Sequence, residues 1–481
     1  MKNILLITTV IFFCWILTSC DKEEFTLEPN IKLSFSTDTI TFDTIFTTLG
    51  STTKYFTVKN PESKSVRISN VFLAGGENSP FRLNINGTAE NQNSNIEIAP
   101  DDSIYIFVEV TIDPNGNNLP MVVHDSVVFD LNGNRQDVDL IAYGQDFHLF
   151  NGKTIQSQRW ENDKPYLIYN SVIVDSGETL TIDPGCRILF HKGSSLFVKG
   201  TMKVNGTFEE PVTFQGDRLE SAYKDVSGQW GAYTILEDGS VYVYGGVHFL
   251  AGSINNEINY SIIKNAEKGI EVDTLGTSEN PVLILKNTRI ENITLNCLDA
   301  RTTFVKASNC IFANSGSFPV ALRFGGEYEF DHCTITNYFN DTDGETALFI
   351  NNYYAYNKKV FSFELHSVFN NCIIYGYNNN EISYESKNIS PFEVSFNSCV
   401  LKTNLKRDEP GFTFVNSLFN ENPRFKDLSN YNYSIDSLSP ARNIGDLTVA
   451  KQFPLDLNNN SRLDDEGPDL GAIEWIPAGE N

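Results

Sequence analysis

Apolar residues in this chain come in short runs that alternate with polar ones and end at Gly, Pro, Asn or Asp, the period-two signature of β-strands. From about Ile31 to Asp146 the runs are separated by turns. Examples are Ile40-Thr41-Phe42, Tyr55-Phe56-Thr57-Val58, Val66-Arg67-Ile68, Ser103 to Val108 and Ser126 to Phe129. Their length and alternation predict a β-sandwich. Beyond Asp146 the spacing tightens. Ser171 to Val174, Thr179 to Ile182, Ile188 to Phe190, Leu196 to Val198, Met202 to Val204 and Val212 to Phe214 follow one another with only a few turn residues between them. Such strands, without intervening helices, suit a coil of three-sided rungs.

Downstream the chain repeats itself. Asn259-Tyr260-Ser261-Ile262-Ile263 returns as Asn287-Thr288-Arg289-Ile290, Asn309-Cys310-Ile311-Phe312, His332-Cys333-Thr334-Ile335, Asn371-Cys372-Ile373-Ile374, Ser398-Cys399-Val400-Leu401 and Asn416-Ser417-Leu418-Phe419. The steps are 27, 22, 23, 39, 27 and 18 residues, as expected if each rung carries a loop of its own length. The step of 39 marks an insertion. It holds Asp341-Thr342-Asp343-Gly344 and Asn351-Asn352-Tyr353-Tyr354, a polar and aromatic segment suited to a binding edge.

The repeat resembles the right-handed β-helix repeats of secreted bacterial proteins over about residues 150–440. Asn422-Pro423-Arg424-Phe425, Ser439 to Gly445, Asp456 to Arg462 and Pro468 to Glu474 resemble the ending named choice-of-anchor Q. This implies a cap over 441–481 that covers the open end of the coil, where an unpaired strand edge would otherwise stand. Phe56 to Asn60, Pro80-Phe81, Ile98 to Ser103 and Leu140 to Gly144 resemble immunoglobulin-like domains related to major sperm protein and Hydin. Modules of that kind space or present other parts, which implies a spacer without catalytic role. The expected fold is therefore all-β: an N-terminal immunoglobulin-like β-sandwich over 31–146, then a right-handed parallel β-helix over 147–440.

The N-terminus differs from the rest. Lys2 precedes an apolar run from Ile4 to Leu17 that closes on Leu17-Thr18-Ser19-Cys20. Its 14 residues fall short of the roughly 20 that cross a bilayer as a helix, which favours a cleaved leader over a permanent anchor. Leu-Thr-Ser before Cys20 resembles the lipobox of bacterial lipoproteins. The resemblance implies a signal peptide over 1–19, diacylglycerol on the Cys20 thiol, and a membrane partner reached through that lipid. Residues 20–30 read as a tether, and Asp21-Lys22-Glu23-Glu24 resembles an export tag to the outer face. An outer-membrane, cell-surface lipoprotein is expected.

Charge limits the partners. At -25 over 481 residues, with no basic run, the chain repels phosphate backbones, so nucleic acid is excluded as a partner. A polysaccharide or another surface protein remains. The six cysteines after Cys20 are even in number, which invites pairing outside the cytoplasm. Yet Cys310, Cys333, Cys372 and Cys399 hold one register of the repeat, which predicts a ladder of buried free thiols about 4.8 Å apart. Metal binding by these cysteines is not indicated, since no Cys-x-x-Cys or His cluster accompanies them.

Candidate chemistry is sparse. Asp456, Asn458, Asn460 and Asp464 place oxygens at alternate positions, as calcium loops do. Ser461 stands where such loops want Gly, and an Asx turn gives the same pattern. No cofactor is expected; calcium is the one ion the spacing admits. Trp230, near Tyr223, Arg218, Glu220 and Asp225, offers a ring for a sugar or for rung packing. Tyr353 and Tyr354 offer rings in the insertion. A glycosidase needs paired carboxylates, and residues 150–440 contain no Asp-Asp pair and no Gly-His-Gly. A lyase needs a base and charge neutralisation; Lys264, Arg289, Arg301 and Arg323 lie in the repeats. Fold alone does not give function. The leading expectation is a non-enzymatic surface lipoprotein whose β-helix binds a glycan or protein, with no catalytic residue. The alternatives are a polysaccharide lyase or glycoside hydrolase on the same coil, and a structural or adhesive protein.

Overall fold

The computed structural model describes residues 24–114, 121–275, 280–339, 345–464 and 466–477. The expected leader, Cys20 and the Asp341 to Gly344 segment lie outside them. The chain divides into two compact units between Asp146 and Phe147.

The first unit is a sandwich. One sheet orders the strands Ser34–Phe35, Lys54–Lys59, Ser103–Val110 and Phe81–Ile85; the other orders Thr39–Phe46, Asn134–Gln145, Met121–Leu131, Val66–Leu73 and Gln92–Ile98. Every second residue faces inward. Phe56, Val58, Ile106 and Val108 from one sheet meet Ile68, Val71, Phe129 and Leu140 from the other in one core.

The second unit is a parallel β-helix, a single sheet of 26 strands coiled into three faces. The first face stacks residues 172–174, 196–198, 247–249, 270–272, 298–300, 320–322, 348–350 and 382–384. The second stacks 180–182, 202–204, 256–258, 283–285, 305–307, 328–330, 367–369, 394–396 and 412–414. The third stacks 187–190, 213–216, 262–264, 289–291, 311–313, 334–336, 373–375, 400–401 and 418–419.

The repeated motif is the corner between the second and third faces. Tyr260, Asn287, Asn309, His332, Asn371, Ser398 and Asn416 all have φ between 42° and 51°. Asn and its like tolerate this left-handed conformation at a small cost, and it turns the chain sharply without a loop. The amides also bond up the stack: Asn287 Nδ2 donates to Asn259 Oδ1 at 3.0 Å, and Asn309 Nδ2 to Asn287 Oδ1 at 3.1 Å. The next residue in each rung points inward, so Cys310, Cys333, Cys372 and Cys399 fall in one column with Ser261, Thr288 and Ser417. All four thiols are free and buried. Their S–H groups bond backbone carbonyls, as Cys372 Sγ does to Phe330 O at 3.3 Å. Burial raises Cys310, Cys333 and Cys372 well above the ordinary thiol range, so they behave as small hydrophobes.

The second face supplies the bulk of the interior. Phe330 stacks on Phe369 at 4.9 Å, Phe369 on Phe396 at 4.9 Å and Phe396 on Phe414 at 5.6 Å, close to the strand spacing of about 4.8 Å. Leu405, Phe414 and Phe419 pack partly buried against this core.

The C-terminal segment, expected to cap the open end of the coil, instead lies along the third face. Tyr433, Leu457, Ala472 and Ile473 pack on the outward side chains of Ile311 and Ala313. Ile435, Ala441 and Leu470 pack on Ile373, Tyr375 and Val400. The outward positions there are apolar, and covering each large one is worth about 1.5–3 kcal/mol. Buried Arg462 locks the segment through an ion pair to Glu474 and a 3.0 Å bond from Nη2 to Asn309 Oδ1.

Candidate functional site

Outward positions of the first face run Phe197, His248, Glu271, Asp299, Ala321, Phe349, Ser383 from rung to rung. Inward neighbours such as Ile270, Val272, Leu298 and Ala300 are core, so strand alternation forces His248, Glu271 and Asp299 out of it. All three are nonetheless buried: Tyr242, from the hairpin Tyr233–Ile235 and Val241–Val243, reaches Glu271, Tyr244 lies beside His248, and Lys268, Arg301 and Arg323 crowd Asp299.

Beneath Tyr242 lies a dense charge network. Glu271 accepts from Tyr242 Oη at 2.6 Å and from the Gly245 amide at 2.7 Å, and pairs with Lys268 at 3.1 Å and Arg301 at 2.9 Å. Asp299 pairs with Arg301 at 2.7 Å, Arg323 at 3.1 Å and Lys268 at 3.3 Å. Asp273 bonds His248 Nε2 at 3.0 Å and Arg301 at 3.3 Å. Burial alone would raise the Asp299 pKa. The Coulomb pull of Arg301, Lys268 and Arg323 outweighs it and holds the carboxyl below its usual range. Three carboxylates face three permanent cations, so the network neutralises itself, which is what buried charge requires.

Beside it the surface turns aromatic. Phe318 stacks on Phe349 at 4.8 Å, and Arg323 lies 5.1 Å over the Phe349 ring. The chain then turns at Phe324, whose φ is 64°, and its ring meets Tyr354 edge-on at 5.4 Å. Tyr354 belongs to a second hairpin, Tyr353–Tyr356 with Lys359–Ser362, and stacks on Phe361 at 5.1 Å and Phe363 at 6.0 Å. Tyr354, Tyr356 and Phe361 are exposed at 37%, 65% and 38%. A charged band thus grades into an aromatic platform through Arg323 and Phe324.

The sequence-derived candidates fare unequally. Trp230 is not a surface ring. It is 0% exposed, stacks on Phe190 at 4.1 Å and donates its indole N–H to Lys264 O at 2.8 Å. The polar residues around it in sequence suggested exposure, but rung packing takes the ring. Tyr223 is half-buried, with the Arg218 guanidinium 3.9 Å over its ring, so that face is occupied. Tyr353 and Tyr354 point to opposite sides of their strand. Tyr353 donates to Glu385 at 3.0 Å and carries Lys387 4.9 Å over its ring; Tyr354 alone joins the platform.

Of the residues with calcium-like spacing, Asp456 is engaged within the chain. Asp456 is buried and accepts from the amides of Asn458 at 2.8 Å, Asn460 at 2.7 Å and Glu474 at 2.8 Å. Asp464 is exposed. With both Asp456 oxygens engaged by N–H donors, the residues build an Asx turn that staples the C-terminal segment. Among the described residues, His248, Glu271 and Asp273 place potential metal-ligating atoms within 4.8 Å of one another. The cations already on Glu271 and Asp273 oppose a second positive charge there.

Of the four basic residues named from the repeats, two pairs converge. Arg301 and Arg323 are register neighbours on the first face. Lys264 and Arg289 line a hollow of about 200 Å³ with Lys224, Glu291 and Tyr431. Lys268, Glu271, Asp273, Asp299 and Tyr242 are not among the candidates that sequence motifs single out. A signal was present: Val247-His248-Phe249, Ile270-Glu271-Val272 and Leu298-Asp299-Ala300 each hold one polar residue between two apolar ones. Aligning the first face as the cysteine corner was aligned exposes them as a stack.

No protein-family model matches the chain, and no curated protein matches it. Three solved structures resemble parts of it. A family 123 glycoside hydrolase from Clostridium perfringens matches 27% of this chain and 30% of its own length at 11% identity and a TM-score of 0.19. A PapD-like domain of human CEP192 matches 27% of this chain and 94% of its own length at 12% identity and a TM-score of 0.17. The catalytic unit of a GH87 alpha-1,3-glucanase from Streptomyces thermodiastaticus matches 75% of this chain and 88% of its own length at 9% identity and a TM-score of 0.20. TM-scores of 0.17 to 0.20 carry no argument about function.

Proposed function

We propose that this protein is a lipid-anchored surface lipoprotein that binds a saccharide along the first face of its β-helix without cleaving it. The observation that carries the reading is the platform of Phe349, Phe324, Tyr354 and Phe361 beside Arg323. Tyr354 and Phe361, nearly parallel at 19° and exposed at 37% and 38%, suit the apolar face of a sugar, and half-buried Phe324 and Phe349 carry the apolar surface on to Arg323, whose guanidinium suits hydroxyls.

The adjacent carboxylates favour binding over hydrolysis. A glycosidase needs one carboxyl to hold a proton at working pH and a second to act as base or nucleophile. Asp299 is held in its charged form by three cations, and both oxygens of Glu271 are engaged by Tyr242, Gly245, Lys268 and Arg301. The net charge of -25 further disfavours polyanionic chains.

The test is a glycan array with the full chain, followed by reducing-sugar and unsaturated-product assays on every ligand found and on pectate, alginate and chondroitin with calcium present. Binding without product, weakened at least tenfold in Tyr354→Ala/Phe361→Ala, is the expected result. Product formation that disappears in Asp299→Asn, or in Arg301→Ala or Arg323→Ala, would replace the binding reading with a hydrolase or lyase.

A further inference from the structure

The sandwich has a chemistry of its own. The outward side of its four-stranded sheet should be polar if the domain only spaces. Instead Tyr55 and Tyr105 are 60% and 49% exposed, and with half-buried Phe107 they form a cluster. Tyr55 lies 5.7 Å from Tyr105 and 5.8 Å from Phe107, and Tyr105 stacks on Phe107 at 6.1 Å and 20°.

Register explains the cluster. Tyr55 pairs with Phe107, and Thr57 with Tyr105, across neighbouring strands, so all four side chains share one side of the sheet. On the far side of Phe107 stand Asn84 and, two pairs along and so on the same side of the sheet, Arg82 opposite Glu109. These residues line a hollow of about 530 Å³ with Thr53, Glu90 and Asn91. The volume lies in the range of about 300–1,000 Å³ usual for small-ligand clefts. Its polar groups are held in place: Thr53 Oγ1 donates to Glu109 at 2.5 Å, and Arg82 Nη1 donates to the Ser79 and Phe81 carbonyls at 2.6 and 2.7 Å.

We infer that the N-terminal sandwich is a second saccharide-binding site, in which a neutral oligosaccharide stacks on Tyr55, Tyr105 and Phe107 and runs its hydroxyls into the hollow lined by Arg82, Asn84, Glu90 and Glu109. A protein partner fits less well. A stable protein interface covers about 800 Å² on each side around an apolar centre, whereas three partly exposed rings here are bordered at once by Thr57, Asn84, Arg82 and Glu109. A ring with one apolar face and an equatorial belt of hydroxyls matches that alternation. Arg82 stands against Glu90 and Glu109 in the hollow, and this net negative charge disfavours an anionic saccharide while leaving a neutral one unopposed. The site is independent of the β-helix platform and stands or falls without it.

The experiment is native affinity electrophoresis of the full chain through gels holding laminarin, galactomannan, xyloglucan or arabinoxylan. Tyr55→Ala/Tyr105→Ala is compared with Tyr354→Ala/Phe361→Ala and with Tyr55→Phe/Tyr105→Phe. Retardation of the wild type in at least one gel is expected, with apparent affinity falling at least tenfold in the sandwich Ala variant. The Phe variant, which keeps the rings, should stay retarded, and its thermal transition with that of the Ala variant reports folding. Loss in the Ala variant but not in the Phe variant supports the site even if the Ala variant melts somewhat lower. Absence of retardation in all four gels, or undiminished retardation of the sandwich Ala variant, overturns it.

Discussion

Gly246 lies so close to Trp230 that a Cβ placed on it would stand 2.5 Å from ring atom Cζ3. The indole fills the coil between Phe190 and the backbone at Lys264 and Ala266, and only a residue without a side chain fits over it. Replacing Trp230 by Ala should cost about 3–5 kcal/mol, the usual range for a large buried ring. A lowered thermal midpoint with unchanged glycan affinity at low temperature is the expected result. Loss of affinity at full stability would return Trp230 to the list of ligand contacts.

The thiol column gives a chemical signature. Cys310, Cys333, Cys372 and Cys399 are buried, free and stacked one rung apart. Iodoacetamide should label them slowly in the native protein and completely in denaturant without reductant, since a buried neutral thiol is a poor nucleophile. Peptide mass spectra showing them linked in pairs would contradict the ladder.

Arg301 holds two buried carboxylates at once, Glu271 and Asp299. Removing one partner from such a network leaves uncompensated charge and costs about 3–5 kcal/mol. Arg301→Ala should therefore melt earlier, while Arg301→Ala combined with Glu271→Gln should recover part of the loss. Additive losses in the double variant would mean that the two side chains are not coupled.

Glu381 carries a pH dependence. Its buried carboxyl accepts from the amides of Ala347 at 2.8 Å and Asn378 at 2.6 Å, and burial pushes its pKa from 4.5 up to about 7. The folded state binds this proton more tightly than the unfolded chain. Its contribution is therefore fully present below pH 4.5 and is lost as pH rises through about 7. Thermal midpoints of wild type and Glu381→Gln, measured from pH 4.5 to 8, should converge at the acidic end and separate in favour of Gln above about 7. Parallel curves would mean that Glu381 does not titrate in this window.

Lipidation is tested directly. Cys20 is the cysteine preceded by Leu17-Thr18-Ser19, and Cys20→Ala should abolish labelling with an alkynyl fatty acid in cells. Labelling that persists in Cys20→Ala would remove the lipoprotein reading while leaving both saccharide sites to their own tests.

Much of the β-helix was legible because its information is local. A rung corner needs a left-handed residue followed by a small inward one, and Asn309-Cys310, Asn371-Cys372 and Asn416-Ser417 encode both requirements in two letters. The division after Asp146 was readable for the same reason, as a change in strand length and spacing. What the sequence could not determine was which outward residues remain outward. Trp230 sits in polar surroundings along the chain and Glu271 at an outward strand position, yet one fills the coil and the other lies under Tyr242, 29 residues before it. The spacing of Asp456 admits a calcium loop or an Asx turn, and the amide that Glu474, 18 residues on, donates to its carboxylate comes from the tertiary structure. The aromatic platforms share that origin: Tyr354 finds Phe324, and Tyr55 finds Tyr105, across strand pairings whose loops have no fixed length. Alternation sets the side of a strand on which a residue points; only the packing of distant segments sets whether that side meets water.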